Sequence, residues 1–306
     1  MLILVVLLYA LFGFTFTLGK IVLFYATPFF VVSTRMIIGG LLLTAFLTWH
    51  HKVRCVPARN DLWLFAQFVF FNICCFYGPR SWALQYLTTS KAALLMNLSP
   101  FFTALFAYIF LREKLTPYKA LGLIIGFSGM IPVAIAQSSP EEGIWGSFAY
   151  FSVPEIVFIA GVACLSYSMI VMQKLVKHRN VNPILVNALC MIYGGIAMGA
   201  VSFGLQEKRV FGDPVLFATV IGLQIIVSNI LCSNLQAFLL RTYSTTFLAF
   251  ASFISPLCAL GYGWLLLNEV ITWHFFASFI IVIVGLSIFY FDDIKKGKLQ
   301  HELHQK

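Results

Sequence analysis

The sequence predicts an all-α polytopic membrane protein, with ten transmembrane helices arranged as two inverted five-helix repeats. Three observations carry this. First, 60% of the 306 residues are hydrophobic and 10% are charged, and the mean hydropathy is +0.92. A soluble domain of this length has nowhere to put so much apolar surface. Second, apolar runs of about 20 residues recur along the chain, each long enough to cross a bilayer as a helix. Third, the chain repeats itself. Leu84 to Gly129 lies on Leu240 to Gly285 at an offset of 156 with no gap, so Ser99-Pro100 falls on Ser255-Pro256, Glu113 on Glu269 and Thr116 on Thr272. Pro28 and Gly39-Gly40 fall on Pro183 and Gly194-Gly195 at an offset of 155. A long match at fixed offset marks a duplicated unit. Each unit holds five spans. Five is odd, so the second copy enters the membrane from the opposite side, and such inverted repeats go with alternating access.

In chain order the spans are expected at 2–26, 28–49, 62–85, 88–111, 117–136, 155–175, 183–205, 214–238, 244–267 and 272–291. Met1 to Leu18 has no basic n-region and runs on into apolar sequence, so it reads as the first span and not as a cleaved leader. Thr116-Pro117, Asn182-Pro183 and Asp213-Pro214 each put a capping side chain before a proline at the first helical position. Pro28 and Pro154 also stand at span starts, and Asp61 and Thr272 are placed to cap spans three and ten. The first repeat is therefore 1–136, an outer loop covers 137–154, the second repeat is 155–291, and 292–306 is a charged tail.

Lys and Arg set the orientation. With the N-terminus inside, the inner segments hold Lys52, Arg54 and Arg59, then Arg112, Lys114 and Lys119, and later Lys174, Lys177 and Arg179. Arg241 and the tail lysines follow on the same side, while the outer loops hold only Lys208 and Arg209. Both termini are expected in the cytoplasm, with the chain multi-pass in the inner (cytoplasmic) membrane. The formal charge of +9 is thus topological. No basic face is long enough to track a phosphate backbone, which argues against nucleic acid as a partner.

The segment Leu94-Leu95-Met96-Asn97-Leu98-Ser99-Pro100-Phe101-Phe102, followed by Arg112-Glu113-Lys114-Leu115-Thr116 and Gly122 to Gly129, resembles the EamA domains of the drug/metabolite transporter superfamily. Ser255-Pro256 through Asn268-Glu269 to Gly285 is similar to the second such domain, and Gly13, Pro28 and Arg35 sit where the family's first two helices carry those residue types. The resemblance covers nearly the whole chain. It implies a carrier. Members move amino acids, other metabolites, S-adenosylmethionine and, more distantly, nucleotide sugars and sugar phosphates. It supplies no ligand-binding motif that transfers residue by residue.

Candidate transport residues come from the sequence itself. Pro100 and Pro256 lie near the middle of spans four and nine, where a missing N–H frees the carbonyls of Met96 and Ser252. Ser99 and Ser255 hydroxyls, water or a substrate donor are the available partners in hydrocarbon. Two readings stand: a packing kink, or paired bends that line a central cavity. Lys20, Arg35, Arg80 and Lys91 are cations inside spans, all in the outer half of the first repeat, with no Asp or Glu expected at their depth. Ionisable groups in spans usually face a wet interior. The plainer alternative is snorkelling of long side chains to the headgroups, and it is the expectation for Lys91. Lys20, Arg35 and Arg80 are read as a vestibule for a carboxylate or phosphate.

Gln224, Ser228, Asn229, Ser233 and Gln236 recur at helical spacing as a polar stripe on span eight. Tyr77, Trp82 and Tyr167 could stack on a planar group, and Asn97 and Asn187 are lesser candidates. Glu113 and Glu269 sit at helix-to-helix turns and read as structural, which leaves no obvious intramembrane carboxylate for proton coupling. The seven cysteines form no C-x-x-C and six lie in apolar runs, so they read as fillers. No cofactor or metal is expected, and no nucleophile–base pair is evident. Gly122-x-x-x-Gly126 can pack helices within the chain or make a dimer face; monomer and homodimer are both open.

The function these residues predict is secondary transport of a small polar metabolite, an amino acid or related compound with an anionic group, by alternating access. The alternative within transport is uptake or exchange of S-adenosylmethionine, whose carboxylate suits the cations and whose adenine suits the aromatics. An intramembrane lipid-modifying enzyme is the rival class. It lacks a catalytic cluster at interface depth.

Overall fold

Prolines and short polar caps fix the helix starts. The computed structural model describes residues 2–50, 61–111, 117–129, 131–132, 147–148, 151–207, 209–242, 248, 251–252, 254–269 and 273–295. Helix α1 is Leu2–Val22, α2 is Pro28–His50 and α3 is Leu62–Ala83. Helix α4 is Thr89–Met96, α5 is Ser99–Leu111 and α6 is Pro117–Ser128. Helix α7 is Val153–Gln173, extended by a π turn at Lys174–His178, and α8 is Pro183–Gly204. Helix α9 runs through Pro214–Gln224, Ile225–Cys232 and Ser233–Thr242 without a break. Helices α10, Ile254–Leu267, and α11, Trp273–Lys295, complete the set. Among the described residues, six helices are long and apolar enough to cross a membrane: α1, α2, α3, α7, α8 and α9. The apolar helices α10 and α11 add shorter stretches. The protein is therefore a helical, multi-pass membrane protein. Its outer surface carries exposed Phe24, Leu41, Phe203, Leu265 and Ile280, side chains that suit lipid and not water.

Several caps are those expected. The Asn182 side chain accepts from the Ile184 N–H, and Asp213 accepts from the Val215 and Leu216 N–H groups. Asp61 precedes α3 but makes no capping bond. Its Oδ1 lies 3.4 Å from the Arg179 Nε instead, tying the start of α3 to the end of α7. Thr116, Thr272, Glu113 and the tail beyond Lys295 lie outside the described residues. The expected outer loop contains a small β pair, β1 Ser147–Phe148 with β2 Phe151–Ser152, directly before α7.

The prolines break helices where a mid-helix kink was expected. Helix α4 stops at Met96, and the Asn97 and Leu98 N–H groups bond back to Leu94 and Leu95, three residues away. Helix α5 then starts afresh at Ser99-Pro100. Pro256 likewise sits at the start of α10, two residues after Ile254. A proline at the head of a helix costs no hydrogen bond, so the break removes the penalty that a kink would carry.

Glycines set the closest helix contacts. Helix α2 crosses α8 at Gly40 and Gly195, where a Cβ would fall 2.7 Å from Ile192 Cγ1 and 2.8 Å from Ile37 Cγ1. Helix α6 meets α11 at Gly122 and Gly285. A Cβ on Gly122 would come within 2.5 Å of the Gly285 carbonyl, and one on Gly285 within 2.5 Å of the Gly126 N–H. The glycines at 122 and 126 are thus used inside the chain, as small residues at a close helix crossing are.

Candidate functional site

Helices α2, α3, α7, α8 and α9 line a small cavity of about 30 Å³. Sulfur dominates one part of its wall, through Met36, Met169, Met172, Met191 and Cys190. Polar groups supply the rest, from Asn72 and Tyr77 on α3, Asn187 on α8, and Ser233 and Gln236 on α9. Methionines are flexible and polarizable and suit a surface that must repack around a ligand. At about 30 Å³ the space is far below the roughly 300–1,000 Å³ typical of small-molecule sites, so a ligand enters only if these side chains repack.

Two of the helices are wound unusually beside it. In α3 the stretch Phe70–Tyr77, and in α9 the stretch Ile225–Cys232, are π-helical over eight residues each. Segments with i→i+5 bonding appear frequently at functional sites, because the wider turn redirects side chains. Here the first carries Asn72, Ile73 and Tyr77 to the cavity. The second alters the predicted stripe on α9. Ser233 and Gln236 reach the cavity, whereas Gln224, Ser228 and Asn229 do not line it. Gln224 is buried beside Gly19, and its Oε1 has no partner. The Ser228 carbonyl accepts from the Ser233 N–H, the bond five residues apart that defines π winding, and also from the Ser233 hydroxyl. Asn229 is buried behind the wall and donates to the Met36 Sδ at 3.1 Å and the Met191 Sδ at 3.7 Å. It therefore fixes two of the lining methionines.

The four cations separate into two kinds. Lys91 does not snorkel. It is buried, and its Nζ lies 2.9 Å from the Glu155 Oε1 in the first turn of α7. Glu155 is the carboxylate that the sequence reading overlooked. Its Oε2 accepts from the Ser152 N–H and hydroxyl, and the Ser152-x-x-Glu155 spacing of a capping box was the available signal. Lys20 donates to the Leu87 carbonyl and anchors the turn between α3 and α4.

Arg35 and Arg80 behave differently. Arg35 is 1% exposed, and none of its three guanidinium nitrogens has a hydrogen-bond partner among the described residues. Its guanidinium lies over the Tyr77 ring, 4.9 Å from the centroid. Arg80 sits over Phe16 at 4.4 Å and also faces Phe76 and Tyr77, each at 5.9 Å, with its Nε unpartnered among the described residues. Tyr77 is thus shared by both guanidiniums and by the cavity.

Other expected residues fall elsewhere. Tyr167 donates to the Gln67 Oε1 and packs edge-on against Phe71 and Phe106, outside the cavity. Trp82 packs on Tyr86. Ser99 bonds Ser166 across to α7, and Ser166 in turn donates to the Ser99 carbonyl, so the α4–α5 break is pinned to α7. Ser255 is buried at the head of α10, with its N–H on the Ser252 carbonyl. Neither Pro100 nor Pro256 lines the cavity. Asn97 is buried at the break. Asn187 does line it, while donating to the Ser233 carbonyl and the Asn234 Oδ1. Asn72, which sequence reasoning passed over, lines it too and donates to Ser168. Glu269 is structural as expected: its carboxylate accepts from Thr89 and Ser90 at the head of α4.

A lipid-facing helical bundle with a small, partly polar cavity between its helices defines a multi-pass membrane protein. Comparison with known sequences makes this specific: the chain belongs to the EamA-like transporter family, whose model matches residues 1–135 and 152–291. Over 291 residues it is 30% identical to an S-adenosylmethionine/S-adenosylhomocysteine transporter of Chlamydia muridarum, covering 92% of this chain and 89% of the relative. A protein of the same description from Chlamydia trachomatis serovar L2 is 29% identical, covering 92% of this chain and 86% of that protein. A solved crystal structure superposes with a TM-score of 0.64 over 96% of each chain at 15% identity, a likeness of fold alone.

Proposed function

We propose that this protein is a carrier for S-adenosylmethionine and S-adenosylhomocysteine. The observation that carries the reading is the near full-length similarity to two Chlamydia transporters so described. Amino acids, the substrate class favoured from sequence, have no such support, and the sequence-derived alternative takes their place. The cavity of about 30 Å³ is smaller than a nucleoside joined to an amino acid needs, and its flexible methionine wall is what would have to repack to admit one. Its amides can meet the edge of an adenine, and Arg35 and Arg80, which do not line it, lie against the lining Tyr77 ring.

The mechanism we infer is alternating access by two inverted five-helix halves, 1–136 and 155–291, with ten spans in the cytoplasmic membrane and both termini inside. The helix contacts support it. Helix α2 packs on its repeat partner α8, and α6 on its partner α11. Helix α1 packs on α10, as α7 packs on α4 and α5. The two π segments also correspond: Phe70–Tyr77 shifted by 155 is Ile225–Cys232, the offset that relates Pro28 to Pro183. A single chain suffices for this mechanism, since the Gly122 face is occupied by α11.

Counterflow in proteoliposomes tests the substrate. Vesicles preloaded with unlabelled S-adenosylhomocysteine should accumulate labelled S-adenosylmethionine saturably, and vesicles preloaded with methionine or leucine should not. Accumulation driven by amino acids alone would return the reading to its first form. Absence of counterflow with any of them would remove it.

A further inference from the structure

We infer that Arg35 is the specificity-determining residue that receives the substrate's carboxylate, with Arg80 reinforcing it across Tyr77. Four cations were candidates, and the structure separates them. Lys91 is matched by Glu155, and Lys20 is committed to the Leu87 carbonyl. Arg35 has a buried guanidinium whose nitrogens meet no acceptor among the described residues. A buried guanidinium without acceptors is costly, because every N–H has lost its water. Three carboxylates among the described residues are already engaged elsewhere. Glu155 holds Lys91 and Ser152, Glu207 accepts from the Phe30 N–H and the Ser202 hydroxyl, and Glu269 holds Thr89 and Ser90. An anion must therefore come from outside the described protein groups.

The Arg35 guanidinium does not itself line the cavity, but it adjoins it through Tyr77. The Arg35 guanidinium lies 4.9 Å from the Tyr77 centroid, and Tyr77 and the adjacent Met36 both line the cavity. Arg80 lies on the same ring at 5.9 Å, so two positive charges share one aromatic wall. A guanidinium binds a carboxylate through two parallel N–H···O bonds, a geometry that an ammonium lacks. The inference rests on the proposed substrate reading for the ligand's name, and on Arg35 itself for its chemistry.

The test compares ligands that differ only at the carboxylate. Purified protein is titrated with S-adenosylhomocysteine and its carboxamide, and separately with methionine and methioninamide, for wild type, R35Q and R35K. Wild type should prefer S-adenosylhomocysteine over its carboxamide by roughly thirtyfold, the range for hydrogen bonds to a charged group. R35Q should reduce that preference to within about threefold while leaving carboxamide affinity nearly unchanged, and R35K should retain an intermediate preference. Because the readout is a ratio of two ligands on one preparation, a partly folded variant does not imitate the result. A preference that persists in R35Q, or an equal loss for both members of the pair, overturns the inference and makes Arg35 a packing residue. If wild type ignores S-adenosylhomocysteine but shows an Arg35-dependent preference for methionine over methioninamide, the inference stands and the substrate reading falls. If neither pair shows an Arg35-dependent preference, the inference is overturned.

Discussion

The Lys91 ammonium and the Glu155 carboxylate lie 2.9 Å apart with both side chains almost fully buried, joining the head of α4 to the first turn of α7. Removing one partner of such a pair strands the other charge in a poor solvent. K91M or E155Q alone should destabilise the protein by about 3–5 kcal/mol. The double variant should recover at least about 1 kcal/mol of the summed loss. Melting of the detergent-solubilised protein, followed by the monodisperse fraction on size exclusion, gives the cycle. Strictly additive losses would show that the two groups do not interact.

Glu269 reaches back from the segment after α10 to the head of α4, where its carboxylate accepts from the Thr89 N–H and from the Thr89 and Ser90 hydroxyls. It acts as a cap supplied from a distant part of the chain. E269A should lower stability by about 1–2 kcal/mol, the value of a lost helix cap. E269Q should cost less, because one amide oxygen still accepts. Equal melting temperatures for E269A and wild type would count against a capping role.

Glycines at helix crossings and glycines facing open space make a matched pair of tests. G285A puts a methyl 2.5 Å from the Gly126 backbone nitrogen, and backbone cannot rotate away. The expected loss is about 1–3 kcal/mol. A Cβ at Gly222 or Gly261 meets nothing within 4 Å, so G222A and G261A should be neutral or gain up to about 1 kcal/mol from helix propensity. Comparable effects at all three positions would mean that α6 and α11 are not in the close contact described.

Transport should divide along the cavity wall. M172W adds bulk at the cavity wall and should abolish counterflow while leaving melting within a few degrees of wild type. Y167F loses the hydroxyl that donates to Gln67, away from the cavity. It should cost about 1 kcal/mol of stability and leave the KM for counterflow unchanged. A raised KM in Y167F with a normal KM in M172W would put the substrate elsewhere.

The membrane fold was legible because its determinants are local. Apolar runs, Asn182-Pro183 and Asp213-Pro214 act over a few residues, and the caps form as written. Of the site, Tyr77, Ser233, Gln236, Asn187 and the anomaly of Arg35 could be found in sequence. Glu155, Asn72 and the methionine wall could not be ranked, since an apolar or capping residue looks the same whether or not a cavity adjoins it. The stripe on α9 is divided, with Ser233 and Gln236 at the cavity and Gln224, Ser228 and Asn229 away from it, for a definable reason. A period of 3.6 assumes α-helix, and Ile225–Cys232 is wound with a longer period.

By itself, then, the amino-acid sequence determined that this is a duplicated, lipid-embedded helical protein, because hydropathy and repeat are properties of the linear chain. Only the tertiary structure decided which buried cations are already matched. Lys91 and Glu155 are far apart in sequence and adjacent in space, while Arg35 reaches an aromatic ring and, among the described residues, no acceptor. Whether a charge in a low-dielectric interior is satisfied depends on what the fold brings within about 3–4 Å of it, and no linear pattern encodes that distance.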